Sequence, residues 1–295
     1  MQRVAANPET LGLALGLAGV IAFSLTLPMT RLAVGHLEPA FVALGRALLA
    51  ALCGALYLWF SKAKIPARAE FGRLILTSLG VVLGFPFLTT WAMRNLPAAH
   101  GAVVVGLLPL ATAVAGAVLA RERPSSLFWL FAGLGSALVV GFVWLQGGGH
   151  IALADLLLVG AVVAAAIGYA EGAKLSRLLG GLGVISWALV VAAPVLLIPF
   201  GLEVARHPPA APPGAWLGFL YVSLISQFLG FMVWYRGLAL GGIARVGQIQ
   251  LLQPFLTLIF AALVLGERLD ALTVGFAVLI VGVVLLGRRA PVKAG

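Results

Sequence analysis

The segment AAHGAVVVGLLPLATAVAGAVLARER, Ala98–Arg123, returns later in the chain as ARVGQIQLLQPFLTLIFAALVLGER, Ala244–Arg268. Five identities between the two copies share a spacing of 145 residues, close to half of the 295-residue chain: Pro109 and Pro254, Thr112 and Thr257, Ala117 and Ala262, Glu122 and Glu267, Arg123 and Arg268. A proline within an apolar run, a threonine one turn on and a Glu-Arg beyond the end make coincidence a poor explanation. The pattern predicts a gene-duplicated membrane transporter whose halves meet at this repeated helix.

The composition is that of a membrane protein. Hydrophobic residues make up 62% of the chain, charged residues 9%, and the mean hydropathy is +1.12. A soluble domain carries about 25% charged residues, so lipid rather than water must surround most of this surface. The net charge of +10 is explained by basic loops, and we expect no nucleic-acid partner. A lone cysteine, Cys53, excludes an intrachain disulfide and a cysteine metal cluster, and the sequence predicts no cofactor and no metal site.

Ten apolar runs follow one another, at roughly the length that is needed to cross a hydrocarbon core of about 30 Å. They are Leu11–Val34, Pro39–Phe60, Phe71–Met93, Pro97–Ala120, Leu127–Leu145, Leu153–Arg177, Leu182–Phe200, Trp216–Tyr235, Ile243–Leu265 and Ala271–Leu286. The first run is too long for the apolar region of a signal peptide, so we expect it to remain in the protein. The sequence thus predicts an all-α polytopic membrane protein with repeats at residues 1–148 and 149–295. Five spans per repeat is an odd number, so the two repeats must be inverted.

The basic residues predict the orientation. With the N-terminus in the cytoplasm, fourteen of the nineteen Lys and Arg residues fall on the cytoplasmic side, which satisfies the positive-inside rule. We therefore expect a bacterial inner-membrane protein, monomeric, with both termini cytoplasmic. The repeated prolines then lie about 11 residues from the ends of their spans, or roughly 16 Å at 1.5 Å per residue. A proline there bends a helix, and the freed backbone groups need protein or a watery cavity. Pro109 and Pro254 are our gating candidates, and a simple packing kink is the alternative.

Ten spans, an internal duplication and two P-x-x-T…E-R segments together resemble the drug/metabolite transporter superfamily, in its EamA-like ten-helix branch. The closing sequences Leu-Ala-Arg-Glu-Arg at 119–123 and Leu-Gly-Glu-Arg at 265–268 carry the resemblance most directly. The resemblance implies an exporter of amino acids or related metabolites, with a central cavity lined by the third, fourth, eighth and ninth spans. Among characterised relatives, the chain resembles the aromatic amino acid exporters. The GLLP sequence at 106–109 lacks the aromatic residue or asparagine that those exporters can have.

Helical spacing selects the candidate substrate-binding residues, because positions three or four apart share one face. Such faces collect polar or aromatic side chains at Gln250, Gln253 and Thr257 on the ninth span, Thr112 on the fourth, Gln227 and Trp234 on the eighth, and Trp91 on the third. Each glutamine could equally bond a neighbouring helix. The two tryptophans could instead belong to the aromatic belt at the membrane surface.

Ionisable residues within the spans are few. Snorkelling to the membrane surface is the interpretation we favour for Arg46, and a local pair is expected between Glu171 and Lys174. His100, near the outer end of the fourth span, is a third gating candidate, with surface exposure as the alternative. Asp155 suits the start of the sixth span because of the helix dipole. No carboxylate lies in mid-membrane, which favours a gradient-driven uniporter over a proton-coupled one.

The sequence therefore predicts export of a small molecule, an amino acid with a large apolar side chain or a related metabolite, by alternating access. The runner-up is a nucleotide-sugar or drug transporter of the same superfamily. Phosphate groups would require Lys or Arg facing the cavity, and the third, fourth, eighth and ninth spans supply none at mid-depth. A channel or a membrane-embedded enzyme is disfavoured. The chain contains no HExxH, GxSxG or phosphate-cradling motif, and its four histidines are scattered.

Overall fold

The computed structural model describes residues 8–119, 123–241, 246–287 and 292–293. Those residues form ten apolar helices: α1 (Pro8–Ser24 and Thr26–Val34), α2 (Pro39–Ser61), α3 (Arg68–Asn95), α4 (Ala98–Val105 and Leu108–Leu119), α5 (Ser126–Gln146), α6 (Leu153–Leu179), α7 (Gly181–Arg206), α8 (Pro213–Leu240), α9 (Ile249–Leu265) and α10 (Ala271–Gly287). The first eight are long and apolar enough to span a membrane, and α9 and α10 are shorter apolar helices. The all-α membrane fold that the sequence predicts is confirmed. The predicted start of the ninth span, Ile243, and the end of the fourth, Ala120, lie outside the described residues.

The packing of the helices follows the two repeats. Three helices pack against their own counterparts in the other half: α2 against α7, α4 against α9, and α5 against α10. Two further contacts are equivalent under exchange of the halves, because α1 packs against α8 as α6 packs against α3. A two-fold relation between repeats of five helices produces this pattern.

The lateral surface of the helix bundle is apolar, as contact with lipid requires. The helix α5 is the clearest case. Only 28% of the residues in an apolar 18-residue stretch of α5 are buried, against 56% in the corresponding stretches of α2 and α6. Its exposed side chains include Leu130 and Val140, with Trp129 near its start and Trp144 near its end. Tryptophans at both ends of a lipid-facing helix are typical of the membrane–water interface.

Polar contacts group the helix ends into two faces. We call the outer end the face that carries residues 35–38, 96–97, 147–152, 207–212 and 266–270, following the predicted orientation; the opposite face is the inner end. At the outer end, Gln146 on α5 donates to Asp270 and to Thr273 at the start of α10. At the inner end, strands β1 (Arg123–Pro124) and β2 (Val292–Lys293) pair antiparallel. Residues 123–124 and residues 292–293 therefore lie at the same face.

Local sequence explains several helix boundaries. The hydroxyl of Ser125 accepts the backbone N–H of Phe128 at 3.3 Å and caps α5. Asp270 accepts the N–H of Thr273 at 2.6 Å and caps α10. That hydrogen bond, with further donors from the Thr273 and Gln146 side chains, lowers the pKa of Asp270. Gly266 ends α9 with a φ of 66°, a left-handed conformation that glycine adopts without strain.

Candidate functional site

The four helices that the family resemblance places around a cavity are all irregular. A π-helical segment interrupts α3 at Ser78–Gly84 and α8 at Tyr221–Gly230. The two segments begin 143 residues apart, which is also the spacing of Trp91 and Trp234. π-Helical turns are rare in proteins overall, and those that do occur often lie at functional sites. The distortion is therefore a shared property of equivalent helices.

The repeated proline helices are broken just before their prolines. In α4 the α-helix stops at Val105 and resumes at Leu108, so that Pro109 is the second residue of the new segment. The start of α9 at Ile249 falls within a 3₁₀ segment, Gly247–Leu252, and the α-helical segment that follows has Pro254 as its second residue. The breaks touch each other: a Cβ built on Gly106 would lie 3.2 Å from Cγ of Pro254. The two halves of the protein thus meet where both helices are discontinuous.

A central cavity lies beside these breaks, lined by α1, α2, α3, α4, α6, α8 and α9. Its polar lining residues are Thr26, Arg46, Ser226, Gln227 and Gln253. Its aromatic lining residues are Phe23, Phe85, Tyr169 and Phe231. The volume available to the centres of water molecules is about 20 Å³, which is room for one or two waters. A larger solute therefore requires movement of the walls.

Arg46 is the residue of this cavity that the sequence interpretation misjudged. Its side chain is 1% exposed, so the snorkelling interpretation is wrong. Nη2 donates to the Ser226 hydroxyl at 3.3 Å, while Nε and Nη1 have no partner among the described residues. A signal was present in the sequence: Arg46 shares its helical face with Ala43, Ala50 and Gly54. Small residues in such a row indicate contact with other helices rather than lipid.

Gln227 and Gln253 are the two predicted binding residues that line the cavity. Gln227 is fully buried, and its Nε2 donates to the Val81 carbonyl at 2.9 Å, across to the π-helical segment of α3. Its Oε1 has no partner among the described residues, and neither has Oε1 of Gln253. The two amides thus leave acceptor oxygens within the cavity walls.

Three other predicted binding residues are buried beside the cavity. Trp234 is enclosed by Phe23 and Tyr169, with ring centroids at 6.2 and 6.3 Å. This burial argues against the belt interpretation for Trp234. Gln250 and Thr257 are buried on α9, and neither is among the cavity-lining residues. Their roles in binding stay predictions.

Trp91 and Thr112 make their contacts within their own helices. Trp91 is half-buried and stacks on the exposed ring of Phe87 at 4.3 Å. Thr112 donates to the Leu108 carbonyl at 2.8 Å, one turn back in its own helix. Neither lines the cavity, and contact with substrate would require another conformation.

Two carboxylates join separate helices at the outer end. Glu267, beyond the end of α9, accepts the backbone N–H groups of Ala98 and Ala99 at 2.8 Å each and so caps α4. The same carboxylate lies 3.4 Å from Nε of Arg31 on α1. Sequence reasoning noted Glu267 only as part of the Glu-Arg ending. Its partners on α4, nearly 170 positions away, could not be read from the chain.

His100, a gating candidate, forms the second contact at the outer end. Its Nε2 lies 2.7 Å from Oδ1 of Asp155, and both side chains are buried. The surface-exposure alternative is therefore wrong. Asp155 also accepts the Ala152 N–H at 2.9 Å, at the start of α6 as expected. The pair ties α4 to α6, and neither residue lines the central cavity.

At the inner end, Glu171 is buried and contacts two cations. Its Oε1 accepts from Nζ of Lys174 at 2.7 Å, which is the local pair that the sequence predicts. Oε2 lies 3.6 Å from Nε of Arg73 on α3. The carboxylate thereby links α3 and α6 and is fully engaged.

Comparison with known proteins gives a consistent set of similarities. The model of the EamA-like transporter family matches residues 10–144 and again residues 152–288. The chain is 45% identical over 285 residues to a Bacillus subtilis protein named "Uncharacterized transporter YdeK", with 96% of this chain and 99% of that protein covered.

More distant relatives carry names that refer to amino acids. A Salmonella typhimurium protein named "Probable amino-acid metabolite efflux pump" is 26% identical, covering 90% of this chain and 91% of that protein. A Streptantibioticus cattleyicolor protein named "Probable terminal-alkyne amino-acid exporter" is also 26% identical, with coverages of 92% and 91%. A chain solved by crystallography shares the fold, with a TM-score of 0.62 at 17% identity, covering 94% of this chain and 96% of that one.

Proposed function

Because the chain belongs to the EamA-like transporter family, we propose that it exports amino acids or closely related small metabolites through its central cavity. The observation that carries this proposal is the cavity itself, which lies where the broken helices of both repeats meet. Its mixture of aromatic rings and amides suits an amphipathic solute of low net charge. The names of two relatives, an efflux pump for amino-acid metabolites and an amino-acid exporter, agree with that class.

Alternating access is the mechanism that we propose. The cavity admits only one or two waters, so a solute must bind while the walls on one side have moved apart. The breaks before Pro109 and Pro254 separate an inner part from an outer part in both α4 and α9. Inverted repeats permit such parts to rock about a fixed central site. His100, tied to Asp155 at the outer end, would separate from α6 when that end opens.

The runner-up substrates, nucleotide sugars, fit the cavity less well. A diphosphate carries two or more negative charges and is usually held by several cations. Among the described residues that line the cavity, Arg46 is the only cation. The prediction that α3, α4, α8 and α9 contribute no cation at this depth agrees with the lining, because Arg46 comes from α2.

We propose a uniport cycle, in which the solute moves down its own gradient. Among the described lining residues there is no carboxylate and no histidine. The nearest equivalent of a proton carrier is the buried pair of His100 and Asp155, which lies at the outer end of the bundle. A proton-coupled exporter would instead need a titrating group linked to substrate binding.

Flux into proteoliposomes tests both proposals. Vesicles containing the purified protein should take up labelled L-phenylalanine or L-leucine with saturable kinetics, reaching but not exceeding the external concentration. Protein-free vesicles are the control. Linear, non-saturating flux would favour a channel, and transport of nucleotide sugars alone would favour the runner-up. Accumulation above equilibrium under a pH gradient, abolished by His100→Ala, would refute uniport and identify His100 as the coupling group.

The protein is an integral membrane protein. We propose that it resides as a monomer in a bacterial inner membrane with both termini cytoplasmic, and that its repeats comprise residues 1–148 and 149–295. In a Cys53→Ala background, single cysteines at Gly148 and Pro212 should react with an impermeant reagent from outside the cell. Cysteines at Ser61 and Ser125 should react only after the membrane is opened. The reverse pattern would overturn the orientation.

A further inference from the structure

We propose that the central cavity recognises a free α-amino acid through its two charged ends. The guanidinium of Arg46 binds the carboxylate, and the carbonyl oxygens of Gln227 and Gln253 accept from the ammonium group. This inference rests on the proposed function and narrows its substrate class.

Arg46 is held deep in the bundle rather than at the membrane surface. It lies seven residues after Pro39, the first residue of α2, which places its Cα about 10 Å below the outer end at 1.5 Å per residue. The guanidinium reaches further, because its partner Ser226 lies halfway along α8 (Pro213–Leu240). The positive charge therefore sits close to the middle of the membrane.

The guanidinium of Arg46 lacks hydrogen-bond partners and a counter-ion among the described residues. Three of the five N–H groups of the guanidinium, one on Nε and two on Nη1, have no partner among the described residues. The single bond to the Ser226 hydroxyl is shared, because that hydroxyl is also 2.7 Å from the Thr26 hydroxyl. No carboxylate is present among the described lining residues. A buried cation without an anion is costly in any protein and most costly in a membrane.

A substrate carboxylate supplies the missing anion. Hydrogen bonds between guanidinium and carboxylate are charge-assisted and stronger than neutral ones. Binding such a group satisfies the free N–H groups and neutralises the charge in one step. One arginine matches one carboxylate, whereas it leaves most of a diphosphate uncompensated.

The acceptor oxygens in the same cavity match the other end of the molecule. The Val81 carbonyl fixes the orientation of the Gln227 amide, because it can accept a hydrogen bond only from the NH₂ group. Oε1 of Gln227 therefore remains an acceptor without a partner among the described residues. Oε1 of Gln253, on the neighbouring helix α9, likewise has no partner among the described residues. An ammonium group has three donors and no acceptor, and two amide oxygens can receive two of them without adding charge.

The aromatic residues leave a defined place for the side chain. Phe23, Phe85, Tyr169 and Phe231 line the rest of the cavity. Their rings suit an apolar or aromatic side chain, since such contacts bury large areas in preferred edge-to-face or offset geometries. The cavity lining thus combines a cation, amide oxygens and aromatic rings, which match the carboxylate, the ammonium group and the side chain of an apolar amino acid.

The test compares each amino acid with analogues that lack one charged end. For L-phenylalanine these are 3-phenylpropionate, without the ammonium group, and phenethylamine, without the carboxylate. For L-leucine they are 4-methylpentanoate and isopentylamine. Two readouts are used: inhibition of labelled amino-acid flux in proteoliposomes, and the rise in Tm of the purified protein, which ligand binding produces.

In the native protein, the acid analogues should inhibit flux and raise Tm, and the amines should do so about tenfold less effectively. Arg46→Met should raise the KM for the amino acid by about tenfold to a hundredfold, the range expected for loss of hydrogen bonds to a charged group. The KM of Arg46→Lys should lie between those of the native protein and of Arg46→Met. Arg94→Gln is the matched control, since Arg94 pairs with Glu38 on the surface, where both are about half exposed.

The outcomes separate the two proposals. Failure of the native protein to move any amino acid would remove the proposed function and this inference together. Normal amino-acid flux with an unchanged KM in Arg46→Met would overturn only the inference, as would equal inhibition by amines and acids. A variant that fails to fold is detected by its Tm, and the analogue comparison in the native protein then decides alone.

Discussion

Glu267 offers the sharpest test of how the outer end opens. Its carboxylate accepts two backbone N–H groups at the start of α4 and lies beside Arg31 on α1. Any movement that separates α4 from α9 at the outer end must break these contacts. Glu267→Gln keeps the size of the side chain, removes its charge and replaces one acceptor oxygen by an NH₂ group. We expect the outer end to open more often.

The magnitude follows from the contacts. A hydrogen bond to a charged group contributes about 1.5–3 kcal/mol, and the partly exposed pair with Arg31 adds at most about 1 kcal/mol. The glutamine retains one backbone bond, so a net loss of about 2 kcal/mol is a reasonable figure. Since about 1.4 kcal/mol corresponds to a factor of ten, the opening equilibrium should shift roughly thirtyfold.

Cysteine accessibility measures this shift. Val105 is buried and lines the cavity, so Val105→Cys in a Cys53→Ala background reports entry of an impermeant thiol reagent from the outer end. The labelling rate should rise by about tenfold to thirtyfold in Glu267→Gln. Glu38→Gln is the control, because it breaks an exposed outer pair without touching α4. An unchanged rate, or an equal rise in both variants, would refute the reasoning.

Further predictions concern the helix breaks and the helix contacts. The double variant Pro109→Ala, Pro254→Ala should fold, and its maximal flux should be roughly tenfold lower, because continuous helices resist separate movement of their inner and outer parts. A tenfold decrease corresponds to an increase of about 1.4 kcal/mol in the activation barrier. Normal flux in this variant would show that the kinks serve only packing. Gly168→Ala should lower the free energy of unfolding by about 1–3 kcal/mol through overpacking. The new Cβ would lie 2.7 Å from Cγ1 of Val81. Gly116→Ala, with nothing within 4 Å of the new atom, should leave Tm unchanged or higher, and an equal loss of Tm in both variants would contradict the packing argument.

The ten helices could be predicted because a bilayer imposes its requirement on each segment separately. About 20 apolar residues must form a helix in lipid, whatever their neighbours are. The breaks before Pro109 and Pro254 were predictable for a similar reason, because proline removes a hydrogen bond within its own helix. The π-helical segments at Ser78–Gly84 and Tyr221–Gly230 contain no comparable residue signal.

The polar contacts of the site were harder to predict, because they depend on which helices become neighbours. Helical spacing places Gln250, Gln253 and Thr257 on one face of α9, yet it cannot show that Gln253 lines the cavity while Gln250 does not. The depth of Arg46 along its helix alone predicts that it reaches the membrane surface, whereas the direction of its side chain into the bundle decides its role. The pairs of His100 with Asp155 and of Glu267 with α4 join residues far apart in sequence, so only the packed structure reveals them.

The π-helical segments have a consequence for the history of the chain. Each adds a wide turn to an otherwise α-helical span, and both begin at equivalent residues of the two repeats. Independent origins would have to coincide at one position in each half. The simplest account is a half-length ancestor that already contained the wide turn before its gene was copied and fused. Such an ancestor, with five spans, would have assembled as a pair of identical chains inserted into the membrane in opposite directions.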